Sequence, residues 1–308
     1  MSGPTAVVFA YHDVGVRCLK ALLSGGVSVP LVVTVPDDPD ENRWYGSVAD
    51  TARDYGLEVI APQSAADAGL AARLEALRPD WLFSFYYRAL LPATLLNCAR
   101  RGALNMHGSL LPKYRGRAPV NWAILKGERE SGATLHYMVA RADAGDIVDQ
   151  MSVPILADDE AREVFAKVAV AAETVLARSL PGLIAGTAPR RPQPIEPGQY
   201  FGRRTPADGR IDWSRPAREI HDLVRAVAPP FPGAFADVGG ERWEVHRTRL
   251  AERAAPRPGA WLFGADGELY AACGGGGVLR LLRVADARGP IDRRRLAATL
   301  RQPLALCH

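Results

Sequence analysis

The sequence predicts an α/β protein, a doubly wound Rossmann-like parallel sheet followed by a small C-terminal OB-like β-barrel. Three observations carry that expectation. At 308 residues the chain is about twice the common length of a domain, which favours two domains. Fully apolar strand-like runs alternate with helix-like runs through the first 200 residues, the pattern of a parallel sheet covered on both faces. From about Gly202 the pattern changes to short strand-like runs parted by glycines, as in a small barrel. The domains are accordingly read as 1–200 and 201–308.

The first strand is TAVVFAY (5–11), followed by a helix from Val14 to Leu23 that stops at Gly25-Gly26. VPLVVTV (29–35) is the second strand. An acidic loop and a helix over 44–55, ending at Gly56, come next. LEVI (57–60), a helix through Leu77, WLFSFYY (81–87), a short helix near 92–99 and GALNMH (102–107) continue the alternation. Ala118-Pro119 opens a short helix closed by Lys126-Gly127, and ATLHYMVA (133–140) alternates as a strand. Asp158 or Asp159 caps a long helix with apolar positions at Val164, Phe165, Val168, Ala172, Val175, Leu176 and Leu180, which Pro181-Gly182 breaks. The four prolines of 187–200 make an extended connector. Beyond it lie a helix around 216–227, the strands GAFADV, RWEVHRTRL, GAWLFG, ELYAAC and GVLRLLRV, and a last helix, ARGPIDRRRLAATL.

Hydrophobic residues at 48% and charged residues at 23% exclude general disorder. The 38 basic and 34 acidic residues leave a net charge of +4. Only Lys20, Lys113, Lys126 and Lys167 are lysines, and the arginines are scattered among acids except for Arg293-Arg294-Arg295. A nucleic-acid partner is therefore not expected. No apolar run approaches the roughly 20 residues of a membrane span, and MSGPTAVVFAYHD lacks the parts of a signal peptide. The expectation is a cytoplasmic protein without membrane insertion. Cys18, Cys98, Cys273 and Cys307 are far apart and read as reduced thiols, and no cluster has metal-ligand spacing.

The segment Asn105-Met106-His107-Gly108-Ser109-Leu110-Leu111-Pro112 is the most informative. Residues two apart on a strand face the same way, so Asn105 and His107 present an amide and an imidazole side by side. They end a strand where open α/β sheets place ligands. Asp143 follows 36 residues later in a polar turn after another strand. Residue types alone leave a second reading open: a buried histidine, a turn asparagine and a capping aspartate give the same letters. Tyr11-His12-Asp13 stands where a phosphate-binding protein would carry a glycine-rich loop, and His12 is structural or substrate-lining. Arg203 and Arg204 either pair a diphosphate or dock the two domains. His136 reads as packed, and His221, His246 and His308 have no evident partner.

The long run HGSLLPKYRGRAPVNWAILKGERESGATLHYMVARADAGDIV resembles the 10-formyltetrahydrofolate-dependent formyltransferases. VVFAYHDVG, WYGSVA, FSFYYR, FGRRTP and LVRAVAPPFPGAF are similar to the same family in the same order. Within it the chain is most similar to the UDP-4-amino-4-deoxy-L-arabinose formyltransferase domain of lipid A modification and polymyxin resistance. The resemblance implies formyl transfer from 10-formyltetrahydrofolate to the amine of a nucleotide-linked amino sugar. It also implies a catalytic trio of Asn105, His107 and Asp143. Folate would lie near Ala89, Leu90, Leu91, Arg117 and the turn Val139, Ala140, Arg141, Ala142, and the nucleotide sugar near Tyr11, Arg203 and Arg204.

Two enzymatic rivals stay in view: a formyltransferase for another UDP-, dTDP- or GDP-linked amino sugar, and methionyl-tRNA formyltransferase. Against the second, the loop after the second strand is short and carries Asp37, Asp38, Asp40 and Glu41, which repel phosphates. A non-catalytic folate-binding module is a further alternative that the intact trio disfavours. The bifunctional relatives continue into a decarboxylase half, whereas this sequence ends at His308, so that step is expected from a separate protein.

Overall fold

TAVVFA has no polar residue after Thr5, and a strand with both faces apolar is stable only inside a sheet covered on both sides. In the computed structural model it forms β1 (Thr5–Ala10), with the last five residues buried. The structure describes residues 3–36, 38, 41–198, 200–255, 260–265, 267–292, 295 and 304–306. The chain divides into two units. The first comprises Met1–Pro119, Glu130–Val153 and Phe165–Gly202, and the second Val120–Arg129, Pro154–Val164 and Arg203–His308.

After β1 come α1 (His12–Ser24), β2 (Ser28–Val33), α2 (Val48–Asp54), β3 (Val59–Ile60), α3 (Ala68–Leu77), β4 (Trp81–Phe85), α4 (Ala93–Leu96), β5 (Gly102–His107), β6 (Arg115–Gly116), α5 (Pro119–Leu125), β7 (Glu130–Tyr137), β8 (Ile147–Pro154), α6 (Ala161–Ala185) and β9 (Tyr200–Phe201). The main sheet has the order β3-β2-β1-β4-β5-β7-β8. Strands β3, β2, β1, β4 and β5 pair in parallel. Helices α2 and α3 are capped by their own sequence: the Ser47 hydroxyl accepts from the Asp50 amide, and the Asp67 carboxylate from the Leu70 amide. Val7, Phe9, Leu31, Val33, Leu74 and Leu82 form a core with no exposed surface.

Four expectations change. The sheet is mixed rather than wholly parallel, because β7 runs antiparallel to β5. A parallel return needs a long crossover, usually a helix. Between β5 and β7 there is only the seven-residue α5, most of which belongs to the second unit. Helix α6 continues through Pro181 instead of breaking there. One ladder bond is lost, but Leu180 and Leu183 are buried, and Arg101 Nη2 donates to the carbonyls of Leu183 and Ile184 at 2.7 and 2.9 Å. The Asp159 carboxylate accepts from the Leu156 amide rather than from the helix, whose start is closed by Glu163 reaching back to the Glu160 amide. Finally, α6 is long and apolar enough to cross a membrane by length and composition. Val164, Val168, Ala172, Val175, Leu176 and Leu183 are fully buried in the protein, which makes it a core helix.

The second unit contains α7 (Ala217–Val227), β10 (Ala234–Val238), β11 (Glu241–Ala251), β12 (Trp261–Ala265), β13 (Glu268–Ala272), β14 (Val278–Asp286), β15 (Gly289–Pro290) and β16 (Leu304–Ala305). Its antiparallel ladder runs β10-β11-β14-β13-β12-β16. The expected last helix begins instead with a hairpin, since Ala285 and Asp286 pair with Pro290 and Gly289. Arg293, Arg294, residues 296–303, Cys307 and His308 lie outside the described residues. Polar bonds explain why 120–129 and 154–164 cluster here. Asn121 Nδ2 donates to the Ala226 carbonyl at 2.7 Å, and Arg225 Nη1 to that of Asp159 at 3.1 Å. His221, without a partner in the sequence reading, sits between the Thr248 hydroxyl and the Ala157 carbonyl.

Leu104 lies on β5, flanked by β4 and β7, with no exposed surface. Leu104→Ala is expected to lower unfolding free energy by about 2–5 kcal/mol, measured by denaturant titration of the first unit's transition.

Candidate active site

The parallel strands end together, and the chemistry-bearing residues sit at those carboxyl ends, in the place such sheets use for ligands. Tyr11 follows β1, Tyr86 to Arg88 follow β4, and His107 ends β5. Asn105 and His107 share a face of β5, and the antiparallel register sets Asn105 opposite His136 and His107 opposite Thr134.

The expected trio converges. His107 Nδ1 lies 3.6 Å from Asp143 Oδ1, and Asn105 Nδ2 lies 3.4 Å from the same oxygen. The other carboxylate oxygen accepts from the Gly116 amide at 2.9 Å. His107 Nε2 is 2.9 Å from the Tyr114 carbonyl, an acceptor only, so Nε2 carries hydrogen and Nδ1 is the ring atom facing the carboxylate. The imidazole is almost entirely buried.

His136 is packed on its strand as expected, 1% exposed, and it also touches the candidate site. Its Nδ1 donates to the Tyr137 carbonyl at 2.9 Å, and its Nε2 lies 3.1 Å from Asn105 Nδ2. Nε2 is also 3.6 Å from Asp143 Oδ1. The sequence signal was present, in that Thr134 and His136 are polar at alternate positions of a strand buried from Ser131 to Tyr137. What the letters do not carry is the register that sets His136 opposite Asn105.

Burial alone would raise the Asp143 carboxyl above its ordinary value of 3.8. The charge of His107, the bond and charge of His136 and the Gly116 amide outweigh burial and hold it well below. Its backbone is also fixed: Asp143 has φ 52°, Arg115 Nη2 donates to the Ala142 carbonyl at 2.7 Å, and Gln193 Nε2 to the Asp143 and Gly145 carbonyls. Gly108 is required by its neighbour, since a Cβ there would lie 1.8 Å from the Tyr86 hydroxyl oxygen.

Of the expected folate contacts, Leu91 is buried in the core cluster rather than offered as a wall. Leu90 is 73% exposed and Val139 47% exposed. Met138 packs on the same cluster as Leu91, which ties the two segments together. Arg117 is exposed and reaches the Arg88 carbonyl at 3.4 Å, at the start of the Ala89–Leu91 stretch. Ala89, Ala140 and Arg141 are exposed, and Ala142 is half-buried.

Tyr11 is engaged rather than open. Its hydroxyl donates to Glu41 at 2.8 Å and lies 2.7 Å from the Tyr45 hydroxyl, while Arg88, ion-paired to Glu41, sits over its ring. Asp37 and Asp40 of that acidic loop lie outside the described residues. His12 is wrapped by Trp44, Tyr45 and Phe165, and burial, then the charge of Arg88, push its pKa down to about 3. It stays neutral near neutral pH and packs as an aromatic ring. Arg203 and Arg204 lie in the second unit; Arg203 is exposed, and Arg204 stacks on Trp122 and donates to the Asp208 carbonyl.

Known proteins agree with this architecture. The formyl transferase family matches residues 6–180, and its C-terminal domain matches residues 203–298. Among solved structures, an N-formyltransferase from Helicobacter canadensis, in complex with folinic acid and dTDP-3-aminofucose, superposes with a TM-score of 0.71 at 20% identity, covering 91% of this chain and 98% of that one. A sugar 3N-formyl transferase, WlaRD, in the presence of dTDP and 5-N-formyl-THF, gives 0.72 at 19% identity, with coverages of 91% and 97%. A 4-N formyltransferase from Francisella tularensis gives 0.64 at 21% identity, with coverages of 79% and 96%.

A carboxylate whose pKa is depressed on folding contributes stability above its unfolded value and loses it as pH falls. Asp143→Asn is therefore expected to be less stable than wild type at pH 7. The gap in Tm should narrow as pH falls below about 4, the ordinary aspartate range, and a gap unchanged at pH 3 would contradict the assignment.

Proposed function

Because the chain belongs to the formyl transferase family, we propose that it transfers the formyl group of 10-formyltetrahydrofolate to the amine of a nucleotide-linked amino sugar, with UDP-4-amino-4-deoxy-L-arabinose as the acceptor. The observation that carries the reading is the meeting of Asn105, His107 and Asp143 within 3.6 Å at the end of β5. The folate and amino-sugar ligands of the solved relatives support the choice of substrates. The long motifs shared with the arabinose enzymes support the finer one.

The formyl donor supplies an electrophilic carbon, and the chain's own groups do the rest. Asn105 Nδ2 has two hydrogens. Its contacts are His136 Nε2 at 3.1 Å and Asp143 Oδ1 at 3.4 Å, and a hydrogen held only by the longer one can turn to an oxygen that gains charge. With Nε2 tied to Tyr114, the movable proton of His107 is the one between Nδ1 and Asp143. Facing the carboxylate through Nδ1, the ring is placed to act as general acid to the departing folate nitrogen. Asp143 then takes up, through water, the proton released by the amine. The exposed Leu90 and Val139 side chains suit a flat apolar ring, and that fit carries the proposed folate position beside Arg117. Tyr11, Arg203 and Arg204 remain the proposed nucleotide-sugar contacts. The enzyme acts in the cytoplasm.

A second reading is favoured by a specific observation: two of the relatives were crystallised with dTDP or a dTDP-sugar. The test is a purified assay with 10-formyltetrahydrofolate and a panel of UDP- and dTDP-linked 3-amino and 4-amino sugars, read as mass gain of one formyl group. Formylation of UDP-4-amino-4-deoxy-L-arabinose above all others is expected; transfer to methionyl-tRNA alone would overturn the proposal. Asn105→Ala should lower kcat by about 100- to 1,000-fold with KM little changed, the usual cost of one lost donor to a developing oxyanion.

A further inference from the structure

The connector after α6 is more than a tether. We propose that Gln193 is a positioning residue for Asp143, and that the connector's Arg191–Gln193 and Tyr200–Phe201 pieces brace the turn and the amide that set the carboxylate in place. The proposal rests on reading Asp143 as a member of the catalytic trio.

Asp143 occupies the left-handed region at φ 52°, uncommon for a residue with a side chain though more accessible to aspartate than to most. Gln193 supports it from outside the turn. Its Nε2 donates to the Asp143 carbonyl at 3.1 Å and to the Gly145 carbonyl at 2.6 Å, spanning the residues on either side of Ala144. Arg115 holds the preceding carbonyl, that of Ala142, at 2.7 Å. Three carbonyls of the turn, those of 142, 143 and 145, are thus gripped by side chains from two other segments.

The connector is pinned on both sides of Gln193. Arg191 exchanges two backbone hydrogen bonds with Ile147, at 2.8 and 2.9 Å, at the start of β8 just past the turn. Tyr200 and Phe201 pair with Arg115 and Gly116, and the Arg117 amide donates to the Phe201 carbonyl at 2.9 Å. Gly116 is the residue whose amide donates to Asp143 Oδ2. It has φ 100°, and a Cβ there would lie 2.3 Å from the Phe201 carbonyl oxygen, so only glycine admits this approach. One piece of the connector therefore holds the carboxylate's backbone and the other holds its hydrogen-bond donor. Gln193 Oε1 is buried with no partner. A linker has no need of such an unmatched acceptor, whereas an amide selected for its two donor hydrogens tolerates it.

The test uses the full chain with Gln193→Ala and Gln193→Glu, each checked for folding by circular dichroism. Both variants should keep KM for donor and acceptor close to wild type. The kcat of Gln193→Ala should fall about 10- to 100-fold, the cost of misplacing a reacting group by roughly an ångström. Gln193→Glu should fall further, because it sets carboxylate oxygens against two carbonyl oxygens. Independently of turnover, carbon-13 titration of the Asp143 carboxylate should show its midpoint rising toward the ordinary aspartate range in Gln193→Ala. Wild-type kcat in both variants, a loss confined to KM, or an unmoved Asp143 titration would overturn the inference. A wild-type protein that formylates no acceptor would sink the functional reading instead, and the titration would still decide whether the connector sets Asp143.

Discussion

An ionised carboxylate with little access to water is the constraint around which the first unit is arranged. Asp143 is 15% exposed at its side chain, and burial opposes its charge. It stays charged only because two imidazoles and one backbone amide face it. Each of those partners comes from a different element: His107 from β5, His136 from β7, Gly116 from β6. The antiparallel turn of β7 is what brings His136 opposite Asn105. The geometry of the reaction centre and the departure from a parallel sheet are therefore one fact.

Much of the fold was legible because it depends on local pattern. GALNMH gives β5 with the same bounds, and the 3.6-residue spacing of Val164, Val168, Ala172, Val175 and Leu176 marks the buried face of α6. Apolar runs and glycine stops locate the strands and most helices because those signals sit within a few residues of each other. Pro181 misled for the same reason. The local rule says that proline ends a helix, and the rule loses to Leu180, Leu183 and the bonds from Arg101, which are contributed from far away in sequence.

The candidate site divides along the same line. Asn105 and His107 could be paired from the period of a strand, and Asp143 from the polar turn that follows the next one. All three meet at Asp143 Oδ1. Tyr114 and Gln193 could not be reached this way, since each acts through a backbone carbonyl that no letter records, and His136 carries the period of a strand but not the register that places it. Leu91 shows the converse: adjacent apolar letters look alike, yet Leu90 faces outward and Leu91 joins the core.

The pairing of Tyr200–Phe201 with Arg115–Gly116 has a consequence for how such chains can be recombined. A gene fusion that exchanged the C-terminal piece at the end of α6 would carry away Gln193 and the strand that supports Gly116, leaving the donor half intact in composition but miswired. Crossovers placed after Phe201 would keep those contacts within one parent, so hybrid enzymes with new tails should tolerate junctions there and reject them at the end of α6.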